Sequence, residues 1–258
     1  MPSILFEIQE NVAVITLNRP EKFNSFNREM ALELQAKLDV CALDDSIRCV
    51  FITGSGRAFC AGQDLGELMG DDAPGFESIL KEHYNPIVSR IRQLQKPVVV
   101  GVNGVAAGAG ANIALCCDIV VATQSASFIQ AFSKIGLIPD SGGTHTLLRL
   151  IGFQKATALM MLGDKVSATE AEKMGMIYKV LPDESFAESA MNIAITLSKM
   201  PTRGLALTKQ ALNQSLNQTF EQQLATEDEL QYEAAHTSDY QEGVASFLER
   251  RSPIFTGR

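Results

Sequence analysis

Among these 258 residues, the run GLIPDSGGT at 136–144 holds one carboxylate, Asp140, among small, apolar and glycine neighbours. Pro139 fixes φ ahead of it, while Gly142 and Gly143 free the backbone behind it, so a single acid is presented at a defined bend. A carboxylate held that way suits a general base, a device that contributes roughly 100- to 10000-fold. The same position equally suits the N-cap of a helix opening near Gly142, and the two roles are compatible. Two further stretches are rich in small residues: RAFCAGQDL at 57–65 and NGVAAGAGANIAL at 103–115. Small residues at strand ends let a ligand approach backbone N–H groups, and a helix start adds a partial positive charge. Two such loops facing one another would hold an oxyanion; taken singly, each is as compatible with close packing. Neither contains GxGxxG or GxxxxGK[ST], which argues against dinucleotides and nucleoside triphosphates.

Other chemistry-bearing residue types offer less. The three histidines, His83, His145 and His236, have no companions at metal-site spacing, and no role is assigned to them. Cys41, Cys49, Cys60, Cys116 and Cys117 show neither metal spacing nor an even disulfide count, and read as buried thiols. A net charge of -8 with no Lys/Arg stripe argues against a nucleic-acid footprint. The apolar stretch 97–115 is broken by Asn103 and several glycines, unlike a membrane span. The opening MPSILFEIQE lacks a basic n-region, so no targeting signal is read and a cytoplasmic location is expected.

The elements that must position these groups alternate between strand and helix. Residues 4–8 and 12–17 flank Gln9, Glu10 and Asn11 as a β-hairpin, and Met30, Leu34 and Leu38 mark a helix over 26–43. Strands follow at 49–53, 97–102 and 118–122, with a helix at 79–94 and a short one after Gly108; this predicts an α/β core. From Gly142 the pattern reads as almost wholly helical, with stops at Gly152 and Gly163, a capping box at Ser167 and Glu170, and a brief strand in YKVL. Helices over 185–198, 203–216, 220–235 and 240–251 finish the chain, and 69–76 reads as a mobile loop over the site.

Taken together and in order, LNRPEKFNSFN at 17–27, AFCAGQDL at 58–65, NGVAAGAGANIALCCD at 103–118, FSKIGLIPDSGGT at 132–144 and EGVASFLERRSPIFTG at 242–257 resemble the crotonase family, the enoyl-CoA hydratase/isomerase superfamily. The resemblance implies an α/β superhelix of ββα units over 1–200 carrying the acyl-CoA site. It further implies a helical C-terminal region, 201–258, that makes trimer contacts, with a homotrimer or a dimer of trimers as the assembly. It implies an acyl-CoA thioester substrate, of which coenzyme A is a part, with no separate cofactor, no metal, and neither nucleic acid nor membrane as partner. Its oxyanion donors fall on the N–H groups of Gln63 and Ala109, the side chain of Gln63 being free to play a structural part. Coenzyme A would run past Lys22 and Phe23, with Ala61, Asp64 and Leu65 lining the bend. Phe255 would approach the adenine of a neighbouring subunit, or simply pack in the tail.

Hydratases of the family use two glutamates, and those places here hold Asn112 and Phe132. Water addition needs an activated water and a proton donor, so ordinary hydratase activity is not expected. The family's isomerases place their acid at the bend occupied by Asp140. Those similar in YNPIVSRI at 84–91 and in the ending act on ring-1,2-epoxyphenylacetyl-CoA, giving oxepin-CoA, and on Δ3-enoyl-CoA, giving the Δ2 isomer. A fatty-acid enoyl-CoA isomerase, an enoyl-CoA hydratase and a non-catalytic CoA-binding subunit are the alternatives. Asn112 is expected to orient the acid or substrate, or to be a satisfied helix amide; Tyr84 is a candidate contact to the acyl group from a loop.

Overall fold

The computed structural model describes residues 2–69 and 74–258. Strands β1 (Ile4–Gln9) and β2 (Val12–Leu17) form an antiparallel hairpin whose two turn residues, Glu10 and Asn11, have φ of 48° and 61°. Two consecutive positive φ values match the right-handed twist of the flanking strands, and asparagine tolerates that region better than most residues. Helix α1 (Arg28–Leu43) follows, capped by the Asn27 side chain, which accepts from Met30 N at 3.0 Å.

The chain then repeats one device. Strands β3 (Cys49–Gly54) and β4 (Ala58–Cys60), β5 (Val98–Val102) and β6 (Val105–Ala107), and β7 (Ile119–Thr123) and β8 (Ser127–Ile129) come in pairs. The first of each pair joins a six-stranded sheet in the order β1-β2-β3-β5-β7-β10, with β10 at Lys179–Leu181. The second joins a four-stranded sheet ordered β4-β6-β8-β9, with β9 at Lys165–Ser167. Apart from the β1-β2 and β8-β9 contacts, neighbours run parallel. The central strands are covered on both faces, which is why CVFI and VVVGV read as continuous apolar runs. Successive residues still split by side: Val50, Ile52, Val98 and Val100 join the main core, while Cys49, Phe51 and Val99 pack with Phe186, Ala190 and Ala194.

The helices between strand pairs carry the site. A single turn, α2 (Phe76–Ser78), runs into a π-helical stretch at Ile79–Tyr84 and then α3 (Asn85–Gln93). Helix α4 (Ala109–Leu115) follows β6, and α5 (Gly143–Ile151) opens beyond the Asp140 bend. Helix α6 (Phe153–Leu162), the capping-box helix α7 (Ala168–Lys173) and α8 (Phe186–Ser198) come next, with α8 covering the far face of the large sheet. Helices α9 (Thr202–Ser215), α10 (Phe220–Ala235) and α11 (Ser238–Glu249) end the chain. The buried Lys209 ammonium of α9 pairs with Asp118 at 2.7 Å and anchors that helix at the start of β7.

Three sequence expectations need correction. The largely helical segment after Gly142 holds, besides the expected strand in YKVL, a second short strand, β9, which extends the small sheet. Tyr84 lies in a π-helical stretch and not in a loop. The expected loop over 69–76 falls partly on 70–73, outside the described residues, and by Phe76 the chain is helical. Among the described residues, no helix is long and apolar enough to cross a membrane.

Candidate active site

The first oxyanion candidate, Gln63, sits just past β4, where the chain makes an isolated parallel bridge to Phe26. Phe26 N donates to Gly62 O at 2.7 Å, and Asp64 N donates to Phe26 O at 2.8 Å. Groups on an extended chain alternate in direction, so spending Gly62 O and Asp64 N on Phe26 turns the Gln63 N–H to the opposite side. Gly62 has φ of 92°, and a Cβ there would lie 3.0 Å from Ala107 O and 3.5 Å from Ala109 N. Only glycine lets the two loops approach this closely.

Ala109, the second candidate, is the first residue of α4, so its N–H has no partner within the helix. Backbone of the 57–65 loop and the N-terminal turn of α4 therefore lie side by side, as the small residues of both stretches suggested.

One turn along α4, the side chain of Asn112 is buried and donates through Nδ2 to the main-chain oxygen of Asp140 at 2.9 Å. Gly143 N donates to the same oxygen at 2.8 Å. A Cβ on Gly143 would collide with the Asn112 amide, so this glycine provides the space for the contact. Because a carbonyl only accepts, Asn112 must present its nitrogen, and its Oδ1 accepts from Gln130 Nε2 at 2.8 Å. Phe132 is buried and its ring approaches Gly108.

The helix after the bend is capped by Gly142 with no side-chain bond, so the N-cap alternative for Asp140 is not realised. The carboxylate accepts instead from Ser141 Oγ at 2.8 Å. Burial pushes its pKa above the ordinary carboxylate value, and the Ser141 hydrogen bond only partly offsets that. Asp140 also contributes, after burial and Cys60, to raising the Tyr84 hydroxyl well above its ordinary value, so the acid and that phenol share a neighbourhood. Tyr84 in turn donates to Gln63 Oε1 at 2.7 Å, tying the π-helical stretch to the first loop.

Apart from Phe255, the residues expected to line coenzyme A lie on adjoining turns, which form the candidate mouth of the site. Lys22 ends a 3-10 turn, Pro20–Lys22, and Phe23 follows at φ of 51° with its ring under the Arg57 guanidinium at 4.3 Å. Ala61 N donates to Phe23 O at 3.0 Å, joining this turn to the Gln63 loop, while Leu65 is exposed beside them. Asp64 has a structural task there: it pairs with Arg19 at 2.8 Å and caps the turn Leu65–Leu68 through Gly66 N. Burial raises its pKa, but the Arg19 and Gly66 bonds outweigh that and hold it below the ordinary value.

Phe255 lies elsewhere. Its carbonyl accepts from Arg48, which precedes β3, and its ring rests on Gly243 of α11. Arg48 precedes β3 and Arg57, which covers the Phe23 ring, follows it, so the length of a six-residue strand, about 20 Å, lies between the two arginine backbones. A cavity of about 910 Å³ between α9 and α5 touches Ser141 and His145 but not Gln63, Ala109 or Asp140. Among the described residues no group of three His, Cys, Asp or Glu could hold a metal. Gln130, Glu67 and Arg19 escaped the sequence reading, because each acts through a contact between segments distant in the chain.

Residues 7–258 match the enoyl-CoA hydratase/isomerase family. The chain is 48% identical to the 1,2-epoxyphenylacetyl-CoA isomerase of Escherichia coli over the full length of both. It is 34% identical to the 2,3-dehydroadipyl-CoA hydratase of the same organism, again over the whole of each chain. A crystal structure of enoyl-CoA hydratase from Bacillus anthracis superposes with a TM-score of 0.93 at 32% identity, covering 99% of this chain and 100% of that one.

Proposed function

The chain belongs to the enoyl-CoA hydratase/isomerase family, and on that premise we propose that it is an acyl-CoA isomerase with Asp140 as base and the N–H groups of Gln63 and Ala109 as oxyanion donors. Its substrate would be ring-1,2-epoxyphenylacetyl-CoA, rearranged to oxepin-CoA, with Δ3-enoyl-CoA converted to the Δ2 isomer by the same machinery. In the latter reaction Asp140 removes a proton from the carbon beside the thioester. The C–H electrons move into the conjugated system, the thioester oxygen carries the charge between the two N–H groups, and the protonated acid returns the proton two carbons away. No atom is gained or lost.

The observation that carries this reading is the amide chain from Gln130 through Asn112 to the Asp140 carbonyl. Where the family's hydratases place a glutamate, this site spends the position on holding the bend. Phe132, at the other hydratase position, is apolar. The 48% identity to an epoxide isomerase supports the aromatic substrate, and the exposed mouth at Lys22, Phe23 and Leu65 supports a coenzyme A tail there. The cytoplasmic location, and a homotrimer or dimer of trimers, belong to the same proposal.

The test is a substrate panel with products identified by mass spectrometry: the ring epoxide, a 3-enoyl-CoA, and a 2-enoyl-CoA in water. Isomerised products from the first two are expected, all lost in Asp140→Asn while acyl-CoA still binds. Efficient hydration of the 2-enoyl-CoA, or wild-type rates in Asp140→Asn, would overturn the assignment.

A further inference from the structure

Gln63 is held by more than its backbone. Its side-chain nitrogen donates to Glu67 Oε2 at 2.8 Å, and its side-chain oxygen accepts from the Tyr84 hydroxyl at 2.7 Å. The other carboxylate oxygen of Glu67 accepts from Arg28 N, the first helical amide of α1, at 2.7 Å. The polarity of the whole chain follows from one end. The same Gln63 nitrogen lies 3.4 Å from the main-chain oxygen of Asp64, which can only accept, so Gln63 turns its NH₂ group to that side and its amide oxygen takes the Tyr84 proton. The phenol is thereby committed as a donor to Gln63 and has no proton free for a substrate.

Tyr84 braces the other half of the same bridge. Its ring is 1% exposed and meets the Phe26 ring edge-on, with centroids 5.9 Å apart. Phe26 is the residue whose backbone holds Gly62 and Asp64 on either side of the candidate donor. One tyrosine therefore fixes both the side chain of Gln63 and the strand partner that aims its N–H.

We infer that Tyr84 is a positioning residue of the oxyanion hole, acting through Gln63 and Phe26 and not through contact with substrate. The inference rests on the reading of Gln63 N–H as an oxyanion donor. A donor misaimed by a fraction of an ångström keeps ground-state binding and loses stabilisation of developing charge, so the loss belongs in kcat.

The experiment measures kcat and KM for a 3-enoyl-CoA in Tyr84→Phe, Gln63→Met and the double variant, beside Asp140→Asn. Tyr84→Phe keeps the ring on Phe26 and so keeps the fold, and Gln63→Met keeps the backbone N–H. Each single change is expected to lower kcat about ten-fold, the scale of one lost hydrogen bond, with KM within about two-fold. The double variant is expected to be no slower than either single one, because both cut the same chain. Effects that multiply in the double variant, a change confined to KM, or an unaltered kcat in Tyr84→Phe would overturn the inference while leaving Asp140 as base. Wild-type turnover in Asp140→Asn would instead overturn the site reading on which the inference depends.

Discussion

At the scale of single residues, the role proposed for Asp140 would couple chemistry to stability. Its folded-state pKa is raised by burial, so the native chain binds a proton more tightly at this site than the unfolded chain does. The linked contribution to stability is then fully present below the ordinary carboxylate range and is lost as pH rises through the raised value. At neutral pH the ionised acid is a cost to the fold that a base requires. Asp140→Asn is therefore expected to raise the melting temperature at pH 7, with the gain shrinking as pH falls through that window; a melting temperature lowered at pH 7 counts against it. For the same reason the acid limb of kcat/KM, which reports the free enzyme, should lie above the ordinary aspartate pKa. Ala109 offers a second test, since it is the first residue of α4 and proline is tolerated at that helical position. Ala109→Pro deletes one N–H with the helix kept, and should cost about 100- to 1000-fold in kcat, read by steady-state kinetics with circular dichroism to follow the helix. The sequence made Asp140 conspicuous because a lone acid between Pro139 and two glycines has few explanations. It could not reveal Gln130, whose part is defined only by the amide of Asn112 across the fold.

At the scale of elements, the site depends on how closely α4 and α5 approach. The point of contact is Gly143, whose missing Cβ leaves room for the Asn112 amide to reach the Asp140 carbonyl. Gly143→Ala should drive the amide aside, destabilise the protein by about 1–3 kcal/mol as other overpacked sites do, and shift the bend that carries the base. Loss of isomerase rate beyond the loss of stability, measured by urea denaturation beside kcat, is the expected signature; unchanged kcat would show that the amide chain does not govern the base. The long strands and the helices from α8 onward were legible because their apolar patterns extend over many residues. Strands β4, β6, β8 and β9 were not, because a period of two barely registers over three residues; β10, equally short, showed only through the compact apolar run YKVL. Those short strands nonetheless set the site, since β4 and β6 deliver Gln63 and Ala109 to adjacent positions.

At the scale of the molecule, the placing of the tail bears on the proposed assembly of copies. Arg48 donates to Thr202 Oγ1, to Phe255 O and to Met200 O, while the buried Asp239 carboxylate accepts from Thr256 N and Gly257 N. A terminus clasped from two sides is built to hold Phe255 in place, yet it holds it at the opposite end of the sheet from the Phe23 and Arg57 mouth of its own chain. A ring fixed there serves coenzyme A only if another copy presents its mouth to it. Stacking of a base on an aromatic side chain is worth about 1–3 kcal/mol, so Phe255→Ala should raise KM for an acyl-CoA roughly 5- to 150-fold and leave kcat alone. The corresponding acyl-pantetheine, which lacks the adenine, should show no difference between Phe255→Ala and the unaltered protein. Dilution of the unaltered protein until it dissociates, followed by sedimentation, should reproduce the rise in KM, because each mouth then loses its neighbour's ring. If KM for the acyl-CoA stays constant in Phe255→Ala, the ring packs the tail and nothing more.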